Sequence, residues 1–195
     1  MRRWCWAVFL LLMTGPGVAA ATLFTYRSAE SALDTRNHYD MALLKLALEK
    51  TRARYGDYQL EASPPMNTNR AMQELMKGTY PNFIIKMSYS PEYEHSGALR
   101  GSYELDLGVT GYRVCFTRKS LLPELARQKS LAGWQHYLYG LGTGWQDVSI
   151  LRHNGFKVME VATYKNLFPM VAKGRFDLFC RGINEVSEEW LEAQQ

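Results

Sequence analysis

After about residue 21, short β-rich runs alternate with longer segments in which apolar residues recur at the spacing of an α-helix. In the first half, Met41, Leu44 and Leu48 mark one face of a long helix, and Gly56 is placed to end it. The elements predicted there are a strand at 22–27, a helix at 34–55, a strand at 58–61, a helix at 69–77 and a strand at 83–87. Right-handed crossovers in this β-α-β-α-β order predict a parallel sheet.

The segment 88–111 has no clean period, so we expect a connector there, and β/α alternation resumes after it. The predicted strands lie at 112–117, 136–139, 156–161 and 176–180. The predicted helices lie at 146–153, at 164–172 with Thr163 as its cap, and from about 184. Strand spacing of this kind is typical of βαβ units. The pattern therefore predicts an α/β fold of two lobes joined near 105–112.

The N-terminal segment has the order of a secretory signal peptide. Arg2 and Arg3 precede an apolar run, and Ala19–Ala21 supplies small residues for cleavage before Thr22. A membrane anchor is the alternative, but the run falls short of the ~20 residues that span a bilayer. We therefore predict a signal peptide at 1–21, lobe one at 22–108 and lobe two at 109–195, with the mature protein in the periplasm.

Composition excludes several classes of protein. The chain is 47% hydrophobic and 22% charged, which is typical of a globular domain. Its net charge is +4, and Arg2 and Arg3 carry two of those charges, so the mature chain is too nearly neutral for a nucleic-acid-binding protein. Two cysteines remain after export, Cys115 and Cys180. We expect both to be buried thiols in strands, with a disulfide as the alternative.

Gly140 to Asp147 (GLGTGWQD) follows a strand and opens a helix, as do many turns that bind anions through backbone N–H groups. A structural turn with Trp145 in the core is the equal alternative. The run is neither a dinucleotide-binding fingerprint nor a phosphate-binding loop. Arg181 lies at the carboxyl end of a strand, where ligand crevices form in α/β sheets, and Arg27 ends the first strand in the same way.

Catalytic and metal-binding patterns are weak in this sequence. Arg36 and Tyr39, next to Asp34 and Asp40, are explained as well by a helix-capping network as by ligand contact, and Arg175 is best explained as a solvated charge. The four histidines lack the paired spacing of metal ligands, and Tyr93-Glu94-His95 is the only acid/base cluster in view. We predict no enzyme activity, no metal and no cofactor.

Two runs in the second half of the chain carry a family resemblance: GWQDVSILRHNGFKV and YKNLFPMVAKGRFDLFCRGINE. They resemble the second lobe of type 2 periplasmic solute-binding proteins, in particular the amino-acid-binding components of ABC transporters. Asp34-Thr35-Arg36 with Tyr39, FIIKMS and Gly111-Tyr112-Arg113 are similar to the first lobe and hinge of that subgroup. The resemblance covers most of residues 22–190. It implies two α/β lobes, each a mainly parallel sheet flanked by helices, which close over a ligand at a hinge.

The resemblance also implies a clamp for amino acids, in which an Arg after the third strand holds the carboxylate and an Asp after the last strand of lobe two holds the ammonium. Tyr93 stands near the first position, and only Glu185 could serve at the second, so the clamp is not intact. Arg27, Arg36 and Arg181 then favour an anionic ligand as the alternative. The family also returns to lobe one after lobe two, and we expect that return to be missing here, since the chain ends at Gln195.

We therefore expect an exported solute-binding protein that captures a small anionic or amino-acid-like ligand for ABC-type uptake. The expected ligand-binding residues are Tyr26, Arg27, Ser88, Thr143, Gly144, Trp145, Arg181 and Glu185, with N–H groups of Thr143 and Gly144 facing the ligand. The expected partners are the solute and an ABC permease or membrane sensor. The alternative is a periplasmic sensory or interaction module of the same fold without a transport role.

Overall fold

The computed structural model of the chain describes residues 20–30, 34 and 36–193. The predicted signal peptide lies almost wholly outside these residues, and so do Cys5 and Thr35. Among the helices described, none is long and apolar enough to cross a membrane.

The first lobe is built on a parallel sheet of three strands in the order β2-β1-β3. Its elements are β1 (Thr22–Tyr26), α1 (His38–Tyr55), β2 (Tyr58–Ala62), α2 (Thr68–Lys77) and β3 (Phe83–Ile84). Gly78 follows α2 as predicted, whereas the helix begins one residue earlier than predicted and is capped by Asn67. The Asn67 side chain accepts a hydrogen bond from the Arg70 N–H at 3.0 Å, and Gly78 ends the helix with a left-handed φ of 63°.

The second lobe has a mixed sheet in which β5 pairs with β6 in parallel and β4 pairs with β7 in antiparallel. A single parallel bridge between Tyr139 and Leu178 links the two pairs, so β4 is the edge strand on the far side of β7. The elements are β4 (Arg113–Phe116), α3 (Leu122–Leu125), α4 (Leu131–Gln135), β5 (Leu138–Gly142), α5 (Gln146–His153), β6 (Lys157–Val161), α6 (Leu167–Ala172), β7 (Phe179–Gly182) and α7 (Val186–Ala193).

Several predicted elements differ from those observed, among them the strand predicted at 176–180, which is β7 at Phe179–Gly182. The strand predicted at 83–87 ends at Ile84, whose carbonyl accepts a 3.2 Å hydrogen bond from the N–H of Arg27, the residue after β1. The strand predicted at 136–139 is β5, which runs through Gly140 and Gly142. Both glycines pair with β6, and a larger residue would not fit at either position, because the rings of Phe176 and Trp145 lie where a Cβ would stand. Thr163 makes no side-chain cap, and the chain after it begins as a 3₁₀ turn at Tyr164–Asn166.

The hydrophobic core is concentrated in the second lobe. One cluster there consists of Val161, Tyr164, Leu167, Val171, Phe176 and Phe179. A second cluster consists of Leu125, Tyr137, Tyr139 and Leu178. The first lobe buries Ala71, Met72 and Phe83, and its longest helix, all of which is described, has no buried residue. The second lobe therefore supplies most of the packing energy of the described chain.

Cys115 and Cys180 form a disulfide, so the expectation of two buried thiols was wrong. The two residues lie directly opposite each other on β4 and β7, with their Cα atoms 3.9 Å apart. Antiparallel pairing brings such side chains together, and the sequence could not reveal this register across a separation of 65 residues. The bond ties the edge strand β4 to the centre of the sheet.

Replacing both cysteines by serine should lower the free energy of unfolding by about 2–4 kcal/mol, because a cross-link over so long a loop constrains the unfolded chain. Urea unfolding of residues 22–195 with and without dithiothreitol measures this loss. The reductant should bring the wild type close to the Cys115→Ser/Cys180→Ser variant and should leave that variant unchanged. Two free thiols in the unreduced protein would contradict the disulfide.

Candidate functional site

A cavity of about 130 Å³ lies where the two lobes meet. Its lining is polar and charged and comes from both sides: Arg36, Thr68, Lys86, Met87, Ser88, Thr110, Arg113, Gly144, Trp145, Gln146, Asp147, Arg181 and Glu185. The cavity lies beyond the carboxyl ends of β5 and β7, which is where open α/β sheets place their ligand crevices. We refer to it as the cleft cavity.

The second-lobe wall is the start of α5. Gly144 has a φ of +81°, and a Cβ there would stand 2.9 Å from the Cβ of Asn69 at the start of α2. A glycine at this position therefore lets the two lobes approach each other. Trp145 is the N-terminal cap residue of α5, and Asp147 in the first turn accepts a 2.8 Å hydrogen bond from Arg113.

Thr143 departs from the predicted arrangement. Its N–H donates to the Val161 carbonyl at 3.1 Å, and the residue is not part of the cleft lining. The pairing of β5 with β6 continues one step beyond Gly142 and uses the donor that was expected to face a ligand.

Arg181 lies on the floor of the cleft and is only 4% exposed. Its Nε is 2.7 Å from Glu189 on α7, its Nη2 is 2.8 Å from Glu185, and its guanidinium lies 4.5 Å from the centre of the Trp145 ring. Burial lowers the pKa of Arg181, but the charges of the two carboxylates more than offset this and raise it above its ordinary value. Arg181 is therefore a cation with its partners already in place.

Arg36 provides a second guanidinium from the first lobe. Its Nε and Nη2 donate to the two oxygens of Asp34 at 2.7 and 2.8 Å, and Nη2 also donates to Glu30 at 3.1 Å. The guanidinium lies 3.8 Å from the ring centre of Tyr164 and 5.8 Å from that of Trp145, both in the second lobe. The predicted link between Arg36 and Asp34 is present, but it caps no helix, since Asn37 precedes α1 without a side-chain cap.

Ser88, Gly144, Trp145, Arg181 and Glu185 of the predicted ligand-binding set come together at the cleft cavity. Tyr26 and Arg27 do not join them. They line a neighbouring cavity of about 200 Å³ between the sheet of the first lobe and α1, among aliphatic side chains such as those of Leu44 and Ile84. Arg27 there donates to Glu30 and to the Met66 carbonyl, at 3.0 and 3.1 Å.

Sequence reasoning missed three charged residues of the cleft. Lys86 lines both cavities and pairs with Asp40 and Asp106, at 2.9 and 2.8 Å. Its signal in the sequence is one charge inside the apolar run FIIKM. Arg113 and Asp147 were quoted only as parts of motifs, and their ion pair joins β4 to α5. All four cations that line the cleft thus have carboxylate partners within the chain.

Arg181→Met should cost about 3–5 kcal/mol of the free energy of unfolding, because it leaves the Glu189 carboxylate buried without its partner. Adding Glu189→Leu should restore most of the loss, since the site then holds two apolar side chains. Arg113→Ala is the matched control, because its partly exposed ion pair is worth about 1 kcal/mol or less. Equal losses for the single and double variants in urea unfolding would contradict the buried pair.

The acid stability of the protein should depend on Asp34. Burial raises the pKa of this carboxyl, but the hydrogen bonds and charge of Arg36 more than offset it and hold the pKa below its ordinary value. The pair therefore stabilises the fold above about pH 4, where the unfolded carboxyl is ionised, and this contribution is lost as the pH falls through the lower folded pKa. Melting temperatures from pH 7 to pH 3 should fall less steeply for Asp34→Asn than for wild type. Asp57→Asn, in an exposed ion pair, is the control, and parallel curves for all three proteins would contradict this role.

Comparisons with known proteins identify the fold to which this arrangement of lobes and cleft belongs. No protein-family model and no curated protein sequence matches the chain. Among solved structures, the periplasmic binding protein of Salmonella typhimurium with high arginine specificity aligns at 16% identity and a TM-score of 0.61, over 89% of this chain and 74% of that one. The GluR0 ligand-binding core in complex with L-glutamate aligns at 9% identity and a TM-score of 0.58, over 91% and 76%.

An ancestral amino-acid-binding protein, described as a precursor of cyclohexadienyl dehydratase, aligns at 14% identity and a TM-score of 0.58, over 89% of this chain and 75% of that one. Identities this low show a shared fold and do not by themselves transfer a ligand. The chain thus has the two-lobed α/β fold of type 2 periplasmic binding proteins, and it spans about three quarters of the length of those structures.

Proposed function

We propose that the chain is an exported, non-enzymatic solute-binding protein that captures a small amino-acid-like solute between its lobes for uptake by an ABC-type permease. The observation that carries this proposal is the cleft cavity, which is lined from both lobes by polar and charged side chains. Proteins with this fold include one solved with arginine and one solved with glutamate. The proposal includes a signal peptide at 1–21, lobes at 22–108 and 109–195, and a periplasmic location.

The charges around the cleft favour a zwitterionic or cationic solute over a simple anion. Arg36, Lys86, Arg113 and Arg181 are each held by carboxylates of the chain, so an anion would have to displace a partner before it could use any of them. A volume of about 130 Å³ is also small. Pockets for drug-sized ligands measure roughly 300–1,000 Å³, so the solute is of amino-acid size.

Capture would work through closure of the lobes. A solute that contacts Ser88 in the first lobe and Gln146 in the second binds the closed arrangement better than the open one. It therefore shifts the population towards closure by the difference between those two affinities. A permease that recognises the closed form would then receive only loaded protein.

A sensory or interaction module is the second candidate, and one observation favours it. The lobes already contact each other through the side chains of the protein: the Tyr164 N–H donates to Glu30 at 3.4 Å, and the Asn67 side chain donates to the Ala162 carbonyl at 3.4 Å. Lobes held together by the protein's own side chains would suit a protein that binds a partner through its surface.

A thermal-shift screen of residues 22–195 tests the proposal with amino acids, organic acids and polyamines as separate classes. A solute at a hundredfold excess over its Kd adds about 2.7 kcal/mol to the free energy of unfolding, which is a readily measured rise in Tm. We expect amino acids or polyamines to give the rise and simple anions to give none.

Gln146→Trp should abolish the rise, because it places an indole in the cleft, and Ile150→Trp, one turn further along α5 and exposed, should preserve it. A cooperative melt that no solute class moves would reject solute capture and favour the interaction module. A rise that survives Gln146→Trp would place the binding site elsewhere.

A further inference from the structure

The side chain of Arg36 has the surroundings of a bound ligand. Two carboxylates of the first lobe hold the guanidinium edge, with three hydrogen bonds of 2.7 to 3.1 Å to Asp34 and Glu30. The ring of Tyr164 in the second lobe faces the guanidinium at 3.8 Å, and the ring of Trp145 lies 5.8 Å away. Only 12% of the Arg36 side chain is exposed.

These surroundings suit a planar cation rather than an ammonium ion. A guanidinium offers several N–H groups in one plane, which match paired carboxylate oxygens, and its flat face stacks on an aromatic ring. Asp34 accepts two of the hydrogen bonds side by side, as this geometry requires. The Tyr164 ring and the Asp34 carboxylate are themselves buried, so neither is shared with bulk water.

We propose that Glu30, Asp34, Trp145 and Tyr164 form a guanidinium-binding site between the lobes, and that Arg36 occupies this site as an occupant tethered to the chain. The inference rests on the proposed function, since it concerns the same space between the lobes. A solute that uses these carboxylates and rings would have to displace the guanidinium of Arg36 from them.

A tethered occupant has a high effective concentration at its own site, which for short flexible connections is in the millimolar range. Free guanidinium compounds therefore compete poorly with Arg36 in the wild-type protein. Removing the Arg36 side chain empties the site but leaves the carboxylates and rings in place, so a small guanidinium compound should then bind.

The test is chemical rescue of the Arg36→Ala variant of residues 22–195 by methylguanidinium. The melting temperature of the variant is the measured quantity. Methylguanidinium at about a fivefold excess over its Kd should raise the Tm of the variant by about 2–4 °C. Sodium chloride at equal ionic strength should not do so. The same additions should leave the wild type and Arg52→Ala unmoved, because Arg52 pairs with Asp57 at an exposed site that no ring covers.

Each outcome decides the proposal. If Arg36→Ala folds and methylguanidinium moves it no more than sodium chloride does, the site does not bind guanidinium and the proposal fails. If Arg36→Ala is unfolded, recovery of a cooperative melt with methylguanidinium supports the proposal, and failure to recover overturns it. A shift of equal size in Arg52→Ala would likewise overturn it.

The second-lobe half of the site is tested by adding Tyr164→Leu to Arg36→Ala, which should remove the rescue if the ring contributes. These results are independent of the solute screen. Wild-type protein that binds an amino acid without any rescue of Arg36→Ala would retain solute capture and lose only the guanidinium site. Rescue in a protein that no solute moves would do the reverse.

Discussion

A guanidinium removed from water has to be neutralised where it lies, and the buried Arg181 organises much of the second lobe for this reason. It draws Glu189 and Glu185 onto itself, and thereby fixes α7 against the end of β7. The Trp145 ring covers the guanidinium on the cleft side. Losing Glu189 would leave the buried Arg181 without the carboxylate that holds it most closely, which is far more costly than losing a surface ion pair.

The same chemistry recurs across the cleft, in the opposite lobe. Arg36 reaches over from the first lobe, so the Trp145 ring has a guanidinium of each lobe near it, at 5.8 Å and 4.5 Å. Arg36 with its carboxylates on one side, and the Trp145 and Tyr164 rings on the other, thus form part of the contact between the lobes. Contacts of this kind are directional and can be exchanged for a solute that offers equivalent groups, whereas an aliphatic interface could only be opened at the full cost of exposing it.

Local patterns predicted the elements well, because they depend on neighbours in the sequence. The helix at Gln146–His153 was predicted with its observed bounds, and α2 differs from its prediction by one residue. What failed depends on distant pairing. The disulfide requires the register of β4 on β7, and the extension of β5 through Gly142 requires its pairing with β6.

The candidate site shows the same division. Arg27 and Arg181 were recognised as cations at strand ends, and together with Arg36, ahead of the first helix, they suggested an anionic ligand. The carboxylates that neutralise Arg181 lie four and eight residues further along the chain, at Glu185 just before α7 and at Glu189 within it. The packing of α7 back onto β7 has no signature in the sequence. β1 ends at Tyr26, one residue earlier than predicted, and Tyr26 and Arg27 line the cavity beside α1 instead of the cleft cavity.

The two lobes are not equal partners in closure. The second lobe has two apolar clusters, a disulfide across its edge and the buried Arg181 pair, so its wall of the cleft is held in one arrangement. The first lobe buries few apolar side chains, and α1 lies over the sheet with a cavity of about 200 Å³ beneath it. Local opening is easiest where buried apolar contacts are few. The carboxylates of Glu30 and Asp34 therefore belong to the more deformable wall of the cleft. A cation bound to them and to the rings of the second lobe stabilises the first lobe, whose own core contributes little packing energy.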